Sequence, residues 1–113
     1  MPIPFDSRSA HYASRIFSRR PLDVRAQLVA LHSTGERIVV HARTCDVSRG
    51  GAGLTLTRTL PSGTEVALCL RLPGGDLFWM QAVVIRRRGF RVGVQFVRTT
   101  AEQRLLLSEL CCA

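Results

Sequence analysis

Lysine is missing from this chain of 113 residues: all sixteen basic residues are arginine, set against eight acidic ones, for a formal charge of +8. Every positive group is therefore a planar fork, suited to bidentate phosphate binding and to stacking on bases. An anionic partner is expected on charge alone. Metal-ligand spacing is missing too. The four cysteines, at 45, 69, 111 and 112, form no C-x-x-C pair, and the three histidines are scattered, so no metal is expected. No run of apolar residues reaches the length of a membrane span. The opening MPIPFDSRSAHYASR lacks the apolar stretch of a signal peptide. A cytoplasmic chain with reduced thiols is the expectation. Catalytic sets are missing as well: there are no paired carboxylates and no arrangement of Ser, His and Asp or of Cys and His, so the chain is not read as an enzyme. Aromatic residues make up only 6%, and Tyr12, Phe78, Trp79 and Phe90 form no stacking platform. A nucleic-acid interface is not expected.

The length fits one domain, and a 46% hydrophobic content supplies a core without metals or disulfides. Residues 1 to 20 are rich in Arg and Ser, hold two prolines and show no apolar period. They read as a flexible N-terminal arm, with residues 21–113 as the folded domain. From Val24 to His32 apolar residues recur with period 2, which predicts a strand. Further strands are predicted over Arg37–Thr44, Ala52–Thr57, Glu65–Leu72, Leu77–Arg87 and Phe90–Val97. Turn residues separate them: Ser33-Thr34-Gly35, Asp46 to Gly51, Leu60 to Gly63, Pro73 to Asp76, and Arg88-Gly89. The end differs. Thr100-Ala-Glu-Gln103 has the spacing of a capping box, and Leu105, Leu106, Leu107 and Leu110 follow at helical spacing. Six short strands and one C-terminal helix predict an all-β fold, an antiparallel barrel with the helix over one end.

Two motifs carry chemistry. Arg15-x-x-x-Arg19 lies in the arm, and Asp46-Val-Ser48-Arg-Gly50-Gly51 follows the second predicted strand. Taken alone, the first reads as a solvated basic tail and the second as an Asx or Ser turn with glycines at positive φ. Taken together, they suit a doubly charged purine ligand. Arginines bind phosphates and the O6/N7 edge of guanine; a carboxylate accepts from the N1–H and N2–H₂ donor edge. A Ser48 hydroxyl adds a hydrogen bond to base or phosphate, and Gly51 lets backbone approach the ligand. Arg86-Arg87-Arg88 and Arg91 form a second basic cluster, read as a solvated hairpin tip.

The two motifs, with Asp46 placed 27 residues after Arg19, resemble those of the PilZ domain family, which binds the bacterial second messenger cyclic di-GMP. Arg20-Pro21-Leu22-Asp23-Val24 resembles the family's link from its arginine motif to its first strand. Gly51-Ala-Gly-Leu-Thr-Leu and Arg91-Val-Gly-Val-Gln-Phe96 extend the resemblance over residues 15 to 110. It implies a six-stranded β-barrel with a flanking helix. It also implies a cyclic di-GMP site formed by Arg15, Arg19, Asp46, Ser48, Gly50 and Gly51, with no cofactor. Ser14 stands where members that bind a ligand dimer often carry a basic residue, a charge that Arg20 could supply. A lone PilZ domain has no output module, so an effector protein is the implied partner. Motility, exopolysaccharide production, biofilm, type IV pili and virulence are the implied outputs. The rival reading is an adaptor of the same fold that works by protein contacts without nucleotide. Such members lack the arginine pair and the Asp-x-Ser turn.

Overall fold

The structure, a computed structural model, describes residues 19–112. Seven strands and one helix follow in order: β1 Arg20–Pro21, β2 Arg25–Leu31, β3 Arg37–Val47, β4 Gly51–Leu56, β5 Glu65–Arg71, β6 Leu77–Arg88, β7 Arg91–Val97 and α1 Ala101–Cys112. Six of them close a barrel in the order β3-β2-β5-β6-β7-β4, with β4 pairing back onto β3. Every pairing is antiparallel. The expected six-stranded barrel with a C-terminal helix is the observed fold. The extra strand β1 is two residues long and pairs with the end of β3, Arg20 with Val47 and Pro21 with Asp46.

The arm expected over residues 1–20 lies mostly outside the described residues, and Arg15 lies there with it. Its last residue, Arg20, is already a strand residue on β3. The link that follows is stitched to β3 by one buried hydroxyl. Thr44 is 3% exposed. Its Oγ1 donates to the Leu22 carbonyl and accepts from the Val24 N–H at 2.9 Å. The Leu22 N–H in turn donates to the Cys45 carbonyl at 3.2 Å. Arg19 is thereby held beside the end of β3.

The period-2 pattern sorts residues as predicted. Ala26, Leu28 and Ala30 of β2 face inward with Val40, Leu54, Leu68, Leu70, Val84, Val94 and Phe96. Leu107 and Cys111 of α1 join the same core. Truncating one of the fully enclosed leucines, such as Leu28 or Leu68, should cost about 2–5 kcal/mol through lost burial and the cavity left behind. The capping box forms: the Gln103 N–H donates to Thr100 Oγ1 at 3.1 Å, and the Thr100 N–H donates to Gln103 Oε1 at 2.8 Å.

One boundary differs from the sequence reading in a way that matters. Strand β3 runs on to Val47, so Asp46 is a strand residue and not part of the turn. The register slips between Thr44 and Asp46. Thr44 faces the core, and simple alternation would send Asp46 inward as well. The bulge adds a residue and turns Asp46 to the outer wall.

Candidate ligand-binding site

Asp46 is set by three elements. The bulge in β3 presents it outward, opposite Gly53 of β4. The Gly53 N–H donates to Asp46 Oδ1 at 3.1 Å. Arg19 then reaches across from the residue ahead of β1, its Nη1 donating to the same oxygen at 3.0 Å. Both bonds end on Oδ1; among the described residues, Oδ2 takes none. The two motifs, far apart in the chain, thus meet on the outer wall. Their side chains are partly exposed, 42% for Arg19 and 30% for Asp46. An ion pair so placed is worth about 0–1 kcal/mol, because water screens it. It holds the groups together yet is readily exchanged.

Gly53 is needed for this contact. A Cβ built there would stand 3.0 Å from Asp46 Oδ1, tighter than ordinary packing allows. Gly51 has a different reason to be glycine. A Cβ there would lie 2.2 Å from the Val94 carbonyl oxygen of the neighbouring strand. Close approach of β4 to β7 therefore demands Gly51 whether or not a ligand also approaches it.

Ser48 organises the turn. Its Oγ accepts from the N–H groups of Gly50 and Gly51, each at 3.2 Å. Its own N–H donates to the Gly51 carbonyl at 2.8 Å. The side chain is nearly enclosed, at 9% exposure. The Gly50 carbonyl is taken by the Phe96 N–H at 2.9 Å, which ties the turn to β7. These bonds fix where Asp46 stands relative to the turn. Arg20 is engaged elsewhere: its Nε donates to the Cys111 carbonyl at 2.6 Å. The last turn of α1 holds no basic residue of its own. Arg20 supplies the cation that a helix C-terminus favours.

Two open concavities lie further along the outer wall. One of about 350 Å³ is lined by Arg25, Gln27, His41, Cys69, Arg71 and Trp79 among others; another of about 440 Å³ borders Arg25, His41, Arg43 and Thr55. Neither includes a motif residue. Among the described residues, no three of His, Cys, Asp or Glu are grouped to hold a metal.

The family follows from comparison. The PilZ domain family model matches residues 14–112, nearly the whole chain. The chain belongs to the PilZ domain family. Solved PilZ domains share its fold. The PilZ domain of YcgR from Escherichia coli, solved with c-di-GMP, superposes with a TM-score of 0.69 at 17% identity, over 85% of this chain and 87% of that one. The PilZ domain of CeSA from a cellulose-synthesizing bacterium gives a TM-score of 0.65 at 23% identity, over 83% and 94%. The Bacillus subtilis inhibitor of motility MotI/DgrA gives 0.66 at 20% identity, over 85% of this chain and 48% of that protein. No curated protein matches the chain. Among the described residues, no helix of this PilZ domain is long and apolar enough to cross a membrane.

Sequence reasoning named Asp46 and Arg19 but missed the residue that seats them, Gly53. A signal was there: Gly53 is the second glycine of Gly51-Ala-Gly53, a residue type that weakens a strand unless something must come close.

Proposed function

We propose that this PilZ domain is a cytoplasmic bacterial receptor for cyclic di-GMP, with no catalytic role, that signals to an effector protein. The observation that carries the reading is the meeting of Arg19 and Asp46 at 3.0 Å on the outer wall. A guanidinium for phosphate or the O6/N7 edge stands beside a carboxylate for guanine's donor edge. The Asp46 carboxylate gives up a weak ion pair with Arg19 and gains N1–H and N2–H₂ donors, while Gly53 continues to hold it. Ser48, Gly50 and Gly51 shape the turn below the ligand.

Asp46 stands on an open wall, and an open wall buries little of a ligand. Arg15, with Arg19, therefore covers the ligand from the other side. In this scheme cyclic di-GMP binds the covered form best, and the surface so formed meets the effector. Part of the binding energy is spent on ordering residues ahead of β1. One or two ligands per chain fit the scheme. The motility and exopolysaccharide outputs are proposed on the titles of the similar structures, an inhibitor of motility and a PilZ domain from a cellulose-synthesizing bacterium.

Trypsin tests the mechanism. Arg8, Arg15 and Arg19 are cleavage sites, while Pro21 shields Arg20. Saturating cyclic di-GMP should slow cleavage at Arg15 and Arg19 far more than at Arg8. Equal rates with and without bound ligand would remove the ordering step from the account.

A further inference from the structure

The two concavities on the outer wall join into one groove. Arg25, Ala26 and His41 border both. From there the groove runs one way over β5 to Leu77 and Trp79 of β6, and the other way over β3 to Thr55 of β4. It crosses five neighbouring strands, β6-β5-β2-β3-β4. With strands about 4.8 Å apart it is roughly 19 Å long, the reach of about six residues of extended chain. Cys69 marks its floor. That side chain points outward, between the inward Leu68 and Leu70, yet is only 6% exposed. Gln27 and Trp79 flank it on the adjoining strands.

Charge along the groove has one sign. Arg25 stands directly opposite Arg43. Arg71 follows Leu70, the partner of Ala26, so it stands on the other side of Arg25. Three guanidiniums thus share one row, and like charges set opposite each other destabilise a sheet. Asp23 pairs with Arg43 at 2.9 Å on the open surface. Arg25 and Arg71 make no hydrogen bond or ion pair among the described residues, and no carboxylate lines either half of the groove. At the β6 end the character changes: Leu77 is 58% exposed, and Trp79, the chain's one tryptophan, is 48% exposed.

We infer that this groove docks an acidic, extended segment of the effector protein, its carboxylates on Arg25 and Arg71 and an apolar side chain against Leu77 and Trp79. The inference deepens the receptor reading above, on which the existence of an effector rests, and its groove holds none of the motif residues. Carboxylates would offset the repulsion that the fold leaves standing. Tryptophan and arginine are the residues on which interface binding concentrates. One exposed tryptophan cannot stack a run of bases, so nucleic acid fits less well. A second copy brings a charge of +8 to an already positive groove. The chain's own first eighteen residues, with two arginines and one aspartate, are no better matched.

The test is fluorescence anisotropy of the full chain with a labelled acidic hexapeptide, one leucine followed by five glutamates. The same peptide with serines for glutamates and a hexathymidylate are the comparison probes. The acidic peptide should bind saturably and the serine peptide should not. Arg25→Gln combined with Arg71→Gln should weaken binding about tenfold or more, and Trp79→Ser roughly threefold to tenfold. Arg86→Gln combined with Arg88→Gln removes the same charge from the hairpin tip and should stay within about twofold. The melting temperature of the Arg25, Arg71 variant should hold or rise as the repulsion is relieved; a fall would show these arginines serving the fold and overturn the inference. No saturable binding of the acidic peptide would overturn it, as would tighter binding of hexathymidylate or equal losses in the two double variants. Peptide binding by a wild-type chain that takes up no cyclic di-GMP would support the groove and remove the receptor reading alone.

Discussion

Replacing Gly53 with alanine separates the site from the fold that carries it. The added Cβ would stand 3.0 Å from Asp46 Oδ1, so the carboxylate must give by a few tenths of an ångström. Asp46 is partly exposed and can swing outward, whereas the strand cannot. The move lengthens the 3.1 Å bond from the Gly53 N–H, which aims the carboxylate. A hydrogen bond to a charged group is worth about 1.5–3 kcal/mol. Losing the aim should cost one such bond to the ligand, roughly a ten- to hundredfold loss of affinity. Stability should fall by less, since the Gly53 N–H still meets water at the wall. Gly51→Ala is the contrasting case. There the Cβ would lie 2.2 Å from the backbone carbonyl of Val94, and backbone cannot step aside cheaply. That variant should lose about 1–3 kcal/mol of stability, the usual range for forcing atoms into packed space. Thermal melting and titration calorimetry on both variants give the two readouts. A Gly53→Ala protein that binds cyclic di-GMP as tightly as the wild type would refute the reasoning, because Asp46 would then need no fixed position.

Other expectations follow from the same geometry. Asp46→Asn puts an amide donor before guanine's donors and should lose at least tenfold in affinity, about 1.4 kcal/mol, with the melting temperature held; a lower melting temperature at unchanged affinity would make Asp46 a structural residue only. Arg15→Ala and Arg19→Ala should each cost roughly 2 kcal/mol of binding, and losing the exposed Arg19–Asp46 pair should cost under about 1 kcal/mol of stability. Thr44→Val removes the hydroxyl that stitches residues 22–24 to β3 and should destabilise by about 1–3 kcal/mol, read in a denaturant melt. Burial raises the Cys69 thiol pKa above its ordinary 9.0. The folded state thus holds that proton more tightly than the unfolded one. Its contribution to stability is full below the ordinary value and declines as pH rises past it. Alkylation at pH 8 should accordingly be slower at Cys69 than at the more exposed Cys45, and the reverse order would contradict the assignment.

Strand positions were legible because alternating burial leaves a period of 2 in the sequence. Ala26, Leu28 and Ala30 announce β2, and Thr100 with Gln103 announces the helix start. The motif residues were legible as chemistry: a lone carboxylate after a strand and a pair of arginines ahead of the barrel. The bulges were not. A bulge is one extra residue, and at Cys45 it looks in sequence like the end of a strand, which puts Asp46 in the turn on the sequence pattern alone. The same slip occurs at Ile85, where Arg86 is turned out and exposed, as a solvated tip would have it. Gly53 acquires meaning only through cross-strand register, which sets it opposite Asp46. Arg20 was hidden for a similar reason. Its partner, the Cys111 carbonyl, is a backbone atom 91 residues away and carries no side-chain signature.

In the proposed receptor Arg19 and Asp46 meet in order to hold cyclic di-GMP. Titration calorimetry of the wild-type chain with cyclic di-GMP tests it most directly. Saturable binding is expected, with a dissociation constant around micromolar or tighter, about −8 kcal/mol. No heat of binding at tens of micromolar protein, about tenfold above that constant, would contradict it and favour an adaptor that works through protein contacts without nucleotide.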